Sequence, residues 1–347
     1  LCKAPLPAWV FDGRDGVHTA EGSWSPARGT YVPARTLPVY GRQRFRETVG
    51  AAADPLKSGT EVFRNDEIRV WSSDGEVLIA SITAKLHLIS PAVTEGLLEA
   101  VELAEAGYQG LVIWSPDDVF SAGANLESLM PVFMKLGAKG IAPEEKKLQD
   151  MMLRLRYAHV PVVAALRGIA LGGGCEIAVH CARRVAHLES YMGFVEVGVG
   201  LVPGGGGLAY VARRAAEMAA AGNANVDLLA FIRDGFTNAA MAKVGTSALE
   251  SRQLGYLQDA DVIVAHKDEL LHVALGQARA LADAGYRPPQ KSLIPVAGRS
   301  AIATIRASLV GMRDGGFISQ HDYHIAGLIA EVVCGGDVDA GTVVTEE

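Results

Sequence analysis

The feature that most restricts how this chain can fold is a run of three glycines, Gly172, Gly173 and Gly174. It follows an apolar stretch at 160–166 and precedes Cys175, Glu176, Ile177 and Ala178. A continuous Val/Ala/Leu run of that length predicts a strand buried on both faces, and residues 172–183 predict a helix that opens on glycine. One glycine explains a tight strand-to-helix turn; three imply that other groups press on the backbone there. The first amides of a helix lack partners within it and lie at the positive end of its dipole. An oxyanion placed there gains hydrogen bonds and field together. Glu176 falls in that first turn, where it can complement the dipole or move a proton.

The surrounding pattern alternates. Strands are expected at 68–71 and 77–82 around a Ser73-Asp74-Gly75 turn, then a helix at 91–106 closed by Gly107 and Gly110. A strand at 111–114 and helices near 125–136 and 143–157 complete the approach to the glycine run. Strand and helix alternating in this way predict an α/β fold with a mostly parallel sheet. Beyond about 209 the reading is nearly all helix, with segments near 225–243, 267–284, 299–312 and 320–334. Residues 1–60 differ: they hold six of the fifteen prolines and no helical period, and read as an extended inter-module linker docked by Trp9, Trp24 and Tyr31. The expected organisation is therefore 1–60 linker, 61–215 α/β core and 216–347 helical region.

Two further segments can carry chemistry. Ser121, Ala122, Gly123, Ala124 and Asn125 follow a strand, and their small side chains let a ligand approach free amides. An ordinary strand-to-helix turn has the same look. Glu196 is an isolated carboxylate in an apolar run; buried, it would hold its proton to higher pH and could act as a donor. Two separated amide donors and two isolated carboxylates suggest stabilisation of an enolate with proton movement at adjacent carbons. The Gly198-x-Gly200-x-x-Pro203 spacing fails the dinucleotide fingerprint.

Composition narrows the rest. With 49% hydrophobic and 20% charged residues the chain is no disordered tail, and a net charge of −7 argues against nucleic acid as a partner. Cys2, Cys175, Cys181 and Cys334 show no framework spacing and read as reduced thiols, hence a cytoplasmic setting. No secretory signal or membrane span is expected. The start at Leu1 suggests a piece of something longer. His321 and His324 flank Asp322 at a spacing compatible with metal, but a solvated helix face fits better and no metal is expected. His159 and His180 read as satisfied structural histidines, Arg154, Arg156 and Arg167 as surface charges, and Leu129, Met130, Phe133 and Met134 as core.

Over roughly 67–260 the sequence resembles the crotonase (enoyl-CoA hydratase/isomerase) superfamily. Three pieces carry the likeness: Ser121 to Ala124, the Gly168-to-Ala178 segment, and Glu196 with the Gly-Leu-Val-Pro-Gly-Gly-Gly-Gly run at 200–207. The resemblance implies a spiral of repeated ββα units with a helical C-terminal region, assembled as a trimer or hexamer. It implies that Ala124 and Gly173 supply an oxyanion hole for an acyl-CoA thioester, and that Glu176 and Glu196 handle water and proton. It places Lys85, Leu86, His87, Ser121, Ala122, Gly123, Asn125 and Gly172 at the substrate, and the helix holding Met130 and Phe133 along the acyl pocket. Asn125 and Ala182 stand where that family commonly has Asp, and Leu208, Ala209 and Tyr210 replace polar residues. Pro5 to Trp9 and Gly22 to Pro26 are similar to the region joining modules of bacterial bifunctional β-oxidation proteins. The chain is then the hydratase portion, with no cofactor of its own beyond the coenzyme A of the substrate; NAD belongs to a 3-hydroxyacyl-CoA dehydrogenase module outside these residues. Double-bond isomerisation, or a non-catalytic CoA-binding or assembly module, are the alternatives.

Overall fold

The computed structural model describes residues 5, 8–19, 21–33, 35, 37–38, 59–222, 227–291 and 293–346. The chain divides into two units, Leu1–Ser58 and Gly59–Glu347. In the first, β1 (His18–Thr19), β2 (Gly22–Ser25) and β3 (Thr30–Val32) form an antiparallel meander. Part of the expected linker is therefore a small sheet. The Trp24 and Tyr31 rings meet edge to face at 5.3 Å, and the Arg14 guanidinium lies 3.6 Å over Trp24. Cys2, Leu6, Pro7, Pro55 and the Trp9 side chain lie outside the described residues.

The second unit is built on an eight-stranded sheet. Its strands are β4 (Thr60–Arg64), β5 (Ile68–Ser72), β6 (Val77–Ile82), β7 (Gly110–Ile113), β8 (Val119–Ser121), β9 (Val162–Leu171), β10 (Arg183–Gly193) and β11 (Val262–Val264). The order is β11-β10-β9-β7-β6-β5-β4, with β8 beside the second half of β9. The apolar runs are continuous because both faces are covered. Leu78, Ala80 and Ile82 of β6 face α1 (Pro91–Gly107), while Val77 and Ile79 pack with Leu270, Ala274 and Ala278 of α8 (Leu270–Asp283) on the other side. The α/β class expected from the sequence is what the chain adopts.

Strand β9 does two jobs. Its first half pairs with β7 and β10 in the core; its second half pairs with β8 and the far part of β10. Between them, Gly168 has φ +61°, and a Cβ there would sit 1.8 Å from the Asp118 carbonyl oxygen. Only glycine fits this change of direction.

Several boundaries differ from the sequence reading. β9 runs on to Leu171 rather than stopping at 166. The helix expected over 172–183 is α4 (Gly173–His180), because the chain turns back into the sheet as β10. That strand went unread: Arg183, Arg184, His187 and Glu189 mask its apolar face. The helix α3 (Ala138–Arg156) starts five residues before Pro143 rather than at it. α5 (Gly207–Gly222), α6 (Leu228–Ala240), α7 (Ala248–Gln253), α9 (Gly298–Asp314) and α10 (Gln320–Val333) make the helical C-terminal region; residues 225 and 226 of the expected 225–243 helix lie outside the described ones. A pair of short strands, β12 (Ile294–Pro295) and β13 (Val343–Val344), was not anticipated. No described helix is long and apolar enough to cross a membrane.

Candidate active site

The second half of β9 delivers the chain to Gly172, Gly173 and Gly174, and each glycine has its own reason. Gly172 has φ +52°, and a Cβ on it would lie 3.0 Å from Glu196 Oε1. A Cβ on Gly173 would meet Ile89 at 3.0 Å and stand 3.6 Å from the Ala124 amide nitrogen. One on Gly174 would press to 2.7 Å on the Ser121 backbone oxygen and Cβ. The run is the meeting point of the 121–125 segment, the 196 segment and α4.

The 121–125 segment is held almost completely. The Ser121 hydroxyl donates to the His87 carbonyl at 2.7 Å and accepts from the Gly123 amide. The Ala122 amide donates to Leu86 O, and the Asn125 amide to Ile89 O at 2.8 Å. Among these amides Ala124 alone has no acceptor among the described residues, and neither has Gly173, the first residue of α4. Two free N–H groups thus stand side by side, one at a helix N-terminus, which is the construction an oxyanion requires.

Glu176 and Glu196 flank them. Glu176 is 2% exposed and accepts a hydrogen bond from the Gly207 amide at 2.8 Å. Burial, and next the charge of Glu196, push its carboxyl well above the usual range. Glu196 lies in the turn Glu196–Val199, and its Oε2 is buried with no partner among the described residues. Burial raises it too. The charge of one opposes ionisation of the other, so the pair can hold one carboxyl ionised and one protonated.

The supporting residues bear out several bland readings. His180 Nδ1–H donates to the Glu176 carbonyl at 2.7 Å; burial pushes its imidazole down to about 3, so it stays neutral and structural. The Cys175 thiol is buried and pushed up, hence inert. Other readings are corrected. His159 is exposed, not a packed histidine. Arg154 pairs with Glu105 and Arg156 with Glu346, while Arg167, largely covered, pairs with Asp118. The helix α2 (Leu126–Leu136) has no buried residue: Met130, Phe133 and Met134 are exposed, the last by 76%. Apolar periodicity marks a face that seeks apolar contact, and cannot tell a core from a ligand.

The structure brings Lys85, Leu86 and His87 to the same place, in a turn zipped to Ser121 and Ala122. Leu86 and His87 adopt φ +53° and +50°, unusual for such side chains. His87 is turned inward, on Val119 O at 2.6 Å and Asp117 Oδ2 at 3.2 Å, whereas Lys85 is exposed. Asn125 caps α2 by accepting from the Ser128 amide. One residue was missed. Glu145 of α3 lies against Gly204, whose Cβ would fall 2.1 Å from its Oε1. Its signal was the helical spacing 145, 148, 149, 152, all of which meet the glycine run at 204–206.

Residues 84–226 match the family model described as enoyl-CoA hydratase/isomerase. This stretch is similar to enoyl-CoA hydratase/isomerase domains. The chain is 35% identical over 310 residues to a probable 3-hydroxyacyl-CoA dehydrogenase of Bacillus subtilis, covering 88% of this chain and 37% of that protein. It is 37% identical over 124 residues to the peroxisomal bifunctional enzyme of Cavia porcellus, covering 35% of this chain and 16% of that one. The chain spans well under two thirds of the length of these curated relatives. In fold it is similar to an enoyl-CoA hydratase from Polaromonas sp. JS666, at TM-score 0.51 and 22% identity over 76% of this chain and 90% of that one. One from Bacillus anthracis gives TM-score 0.51 at 20% identity, over 77% and 90%.

Proposed function

We propose that this chain adds water across the C2–C3 double bond of a trans-2-enoyl-CoA thioester, a step of fatty acid β-oxidation. The observation that carries the reading is the placement of two carboxyls of raised proton affinity beside the free amides of Ala124 and Gly173. The thioester oxygen accepts from both amides, which hold the charge that develops there. Ionised Glu176 takes a proton from water as the water oxygen bonds to C3. The C2–C3 π pair moves toward C2 and the carbonyl, and protonated Glu196 gives its proton to C2. One carboxyl must be ionised and one protonated at the same pH; Glu176 has the higher proton affinity before substrate binds, so the bound thioester and water must draw the charge onto Glu176.

The acyl chain runs along the exposed apolar face of α2, and the coenzyme A nucleotide lies toward Lys85 and the 121–125 segment. The chain works as the hydratase portion of a larger cytoplasmic 3-hydroxyacyl-CoA dehydrogenase polypeptide, assembled as a homotrimer or hexamer. It needs no cofactor beyond the coenzyme A of its substrate; NAD serves the dehydrogenase portion. The test is the loss of enoyl-thioester ultraviolet absorbance on mixing crotonyl-CoA with this chain, with Glu176→Gln and Glu196→Gln alongside. Hydration that collapses in both variants supports the assignment. Binding of crotonyl-CoA by the unaltered chain without turnover refutes it.

A further inference from the structure

After one hydration as written above, Glu176 is left protonated and Glu196 ionised. The next turnover needs the reverse. Glu176 is sealed from solvent at 2% exposure. One face of it rests on the run Gly204–Gly207. A Cβ on Gly205 would lie 2.6 Å from Glu176 Oε2, and one on Gly204 would lie 2.1 Å from Glu145 Oε1. Successive Cα atoms are ~3.8 Å apart, so the two carboxyls lean on adjoining residues of one strip. No side chain of that strip stands between them.

We propose that Glu145 is the port through which Glu176 hands its proton to solvent between turnovers. Glu145 is half-buried on α3 and has no hydrogen-bond or ion-pair partner among the described residues. Its neighbours Lys146 and Lys147 are turned elsewhere, onto Asp150 and Glu95. Gln149, one turn on, donates to the Gly204 carbonyl at 2.8 Å and fixes α3 against the strip. Leu148 closes the space beside Gly205. Burial raises the proton affinity of the Glu145 carboxyl above the ordinary value, which suits a group that must accept from Glu176. The transfer balances simply. The Glu176 proton passes to the Glu145 carboxylate, directly or through water, leaving Glu176 ionised; Glu145 then releases it to a solvent base. Glu196 regains a proton from solvent. Glu145 does not touch substrate: it acts through Glu176, as a relay.

This inference rests on the hydration reading, and one experiment separates the two. Crotonyl-CoA hydration is measured with the 347-residue chain and with Glu145→Gln and Glu145→Asp, in a dilute bulky buffer and again with added imidazole. Glu145→Gln should lower kcat about tenfold or more, within the range of lost proton-transfer catalysis. kcat/KM should fall far less, because the proton leaves after the chemical step. Imidazole should restore kcat saturably, and Glu145→Asp should retain most of it. An unchanged kcat overturns the relay. So does a joint fall of kcat and kcat/KM that imidazole leaves untouched, since that assigns Glu145 to packing. A parent chain that binds crotonyl-CoA without hydrating it overturns the proposed function instead.

Discussion

Replacing Glu176 by glutamine should make the protein more stable as it makes it inactive, and the gain should depend on pH. The carboxyl is buried, and its proton affinity in the folded chain lies above the ordinary value of 4.5. The folded form therefore binds more protons than the unfolded form above about pH 4.5, and the stability present at low pH is lost as pH rises toward the folded value. Each pH unit by which burial raises the group costs about 1.4 kcal/mol once it is ionised. Glutamine carries no charge and removes this cost. It also keeps an oxygen to accept the Gly207 amide at 2.8 Å. Its new NH2 cannot accept from the Gly205 amide, which donates to the carboxylate in the parent, a loss of about 1–3 kcal/mol. The variant should lie below the parent at pH 4. By pH 9 it should exceed it by at least ~1.4 kcal/mol. Urea unfolding of both proteins at the two pH values measures the difference. A gap that stays constant with pH, or narrows as pH rises, would refute the claim that Glu176 is a desolvated carboxyl. Hydration in the same variant should fall roughly 10²–10⁴-fold.

Other expectations are narrower. Gly173→Pro deletes one of the two free amides at a helix position that tolerates proline; it should raise the barrier by about 2.7–4 kcal/mol, seen in kcat more than in KM. Gly174→Ala drives a methyl to 2.7 Å from Ser121 backbone and should destabilise by about 1–3 kcal/mol, read from the thermal midpoint, while displacing Ala124 and lowering turnover. Asp261→Ala strands Arg184, which it binds at 2.7 Å with neither side chain exposed above 4%; a loss of about 3–5 kcal/mol in urea unfolding is expected. His180 sits near 3 when folded against an ordinary 6.5. The unfolded chain thus takes up a proton that the folded chain refuses, and stability drops as pH falls from 6.5 toward 3. His180→Gln should remove about 1.4 kcal/mol per pH unit of that slope in urea midpoints across this window.

What the sequence disclosed follows from how local the cause was. The strands expected at 68–71 and 77–82 and the helix from Pro91 announced themselves through apolar runs, a Gly75 turn and a closing Gly107, all forces acting within a few residues. Glu196 stands out as an isolated carboxylate in an apolar run and Glu176 by its place in a glycine-opened helix, whereas Ala124 and Gly173 are singled out by the family resemblance. Strand β10 stayed hidden because its pairing with β9, not its composition, makes it a strand. The exposure of α2 was hidden for the opposite reason: its periodicity is real, but the surface it addresses is not made by this fold. Glu145 was invisible as a motif, since only the packing of α3 on Gly204 brings it near a residue thirty-one positions further along the chain.

The same contrast between β9 and α2 divides the molecule by how readily it opens. Amides at 162–166 lie in a fully covered strand paired on both sides, so they should exchange with solvent only when the whole unit unfolds. The Ala124 and Gly173 amides have no acceptor among the described residues and should exchange readily, although the backbone on either side of them is held. The helix that begins one residue after the Asn125 cap buries nothing, and should open at little cost. A protease offered the folded protein should therefore cut within 126–136 first. The nicked protein would keep its amide pair intact and lose its grip on the apolar part of a ligand, which makes gentle proteolysis a way to separate the two halves of recognition without changing a residue.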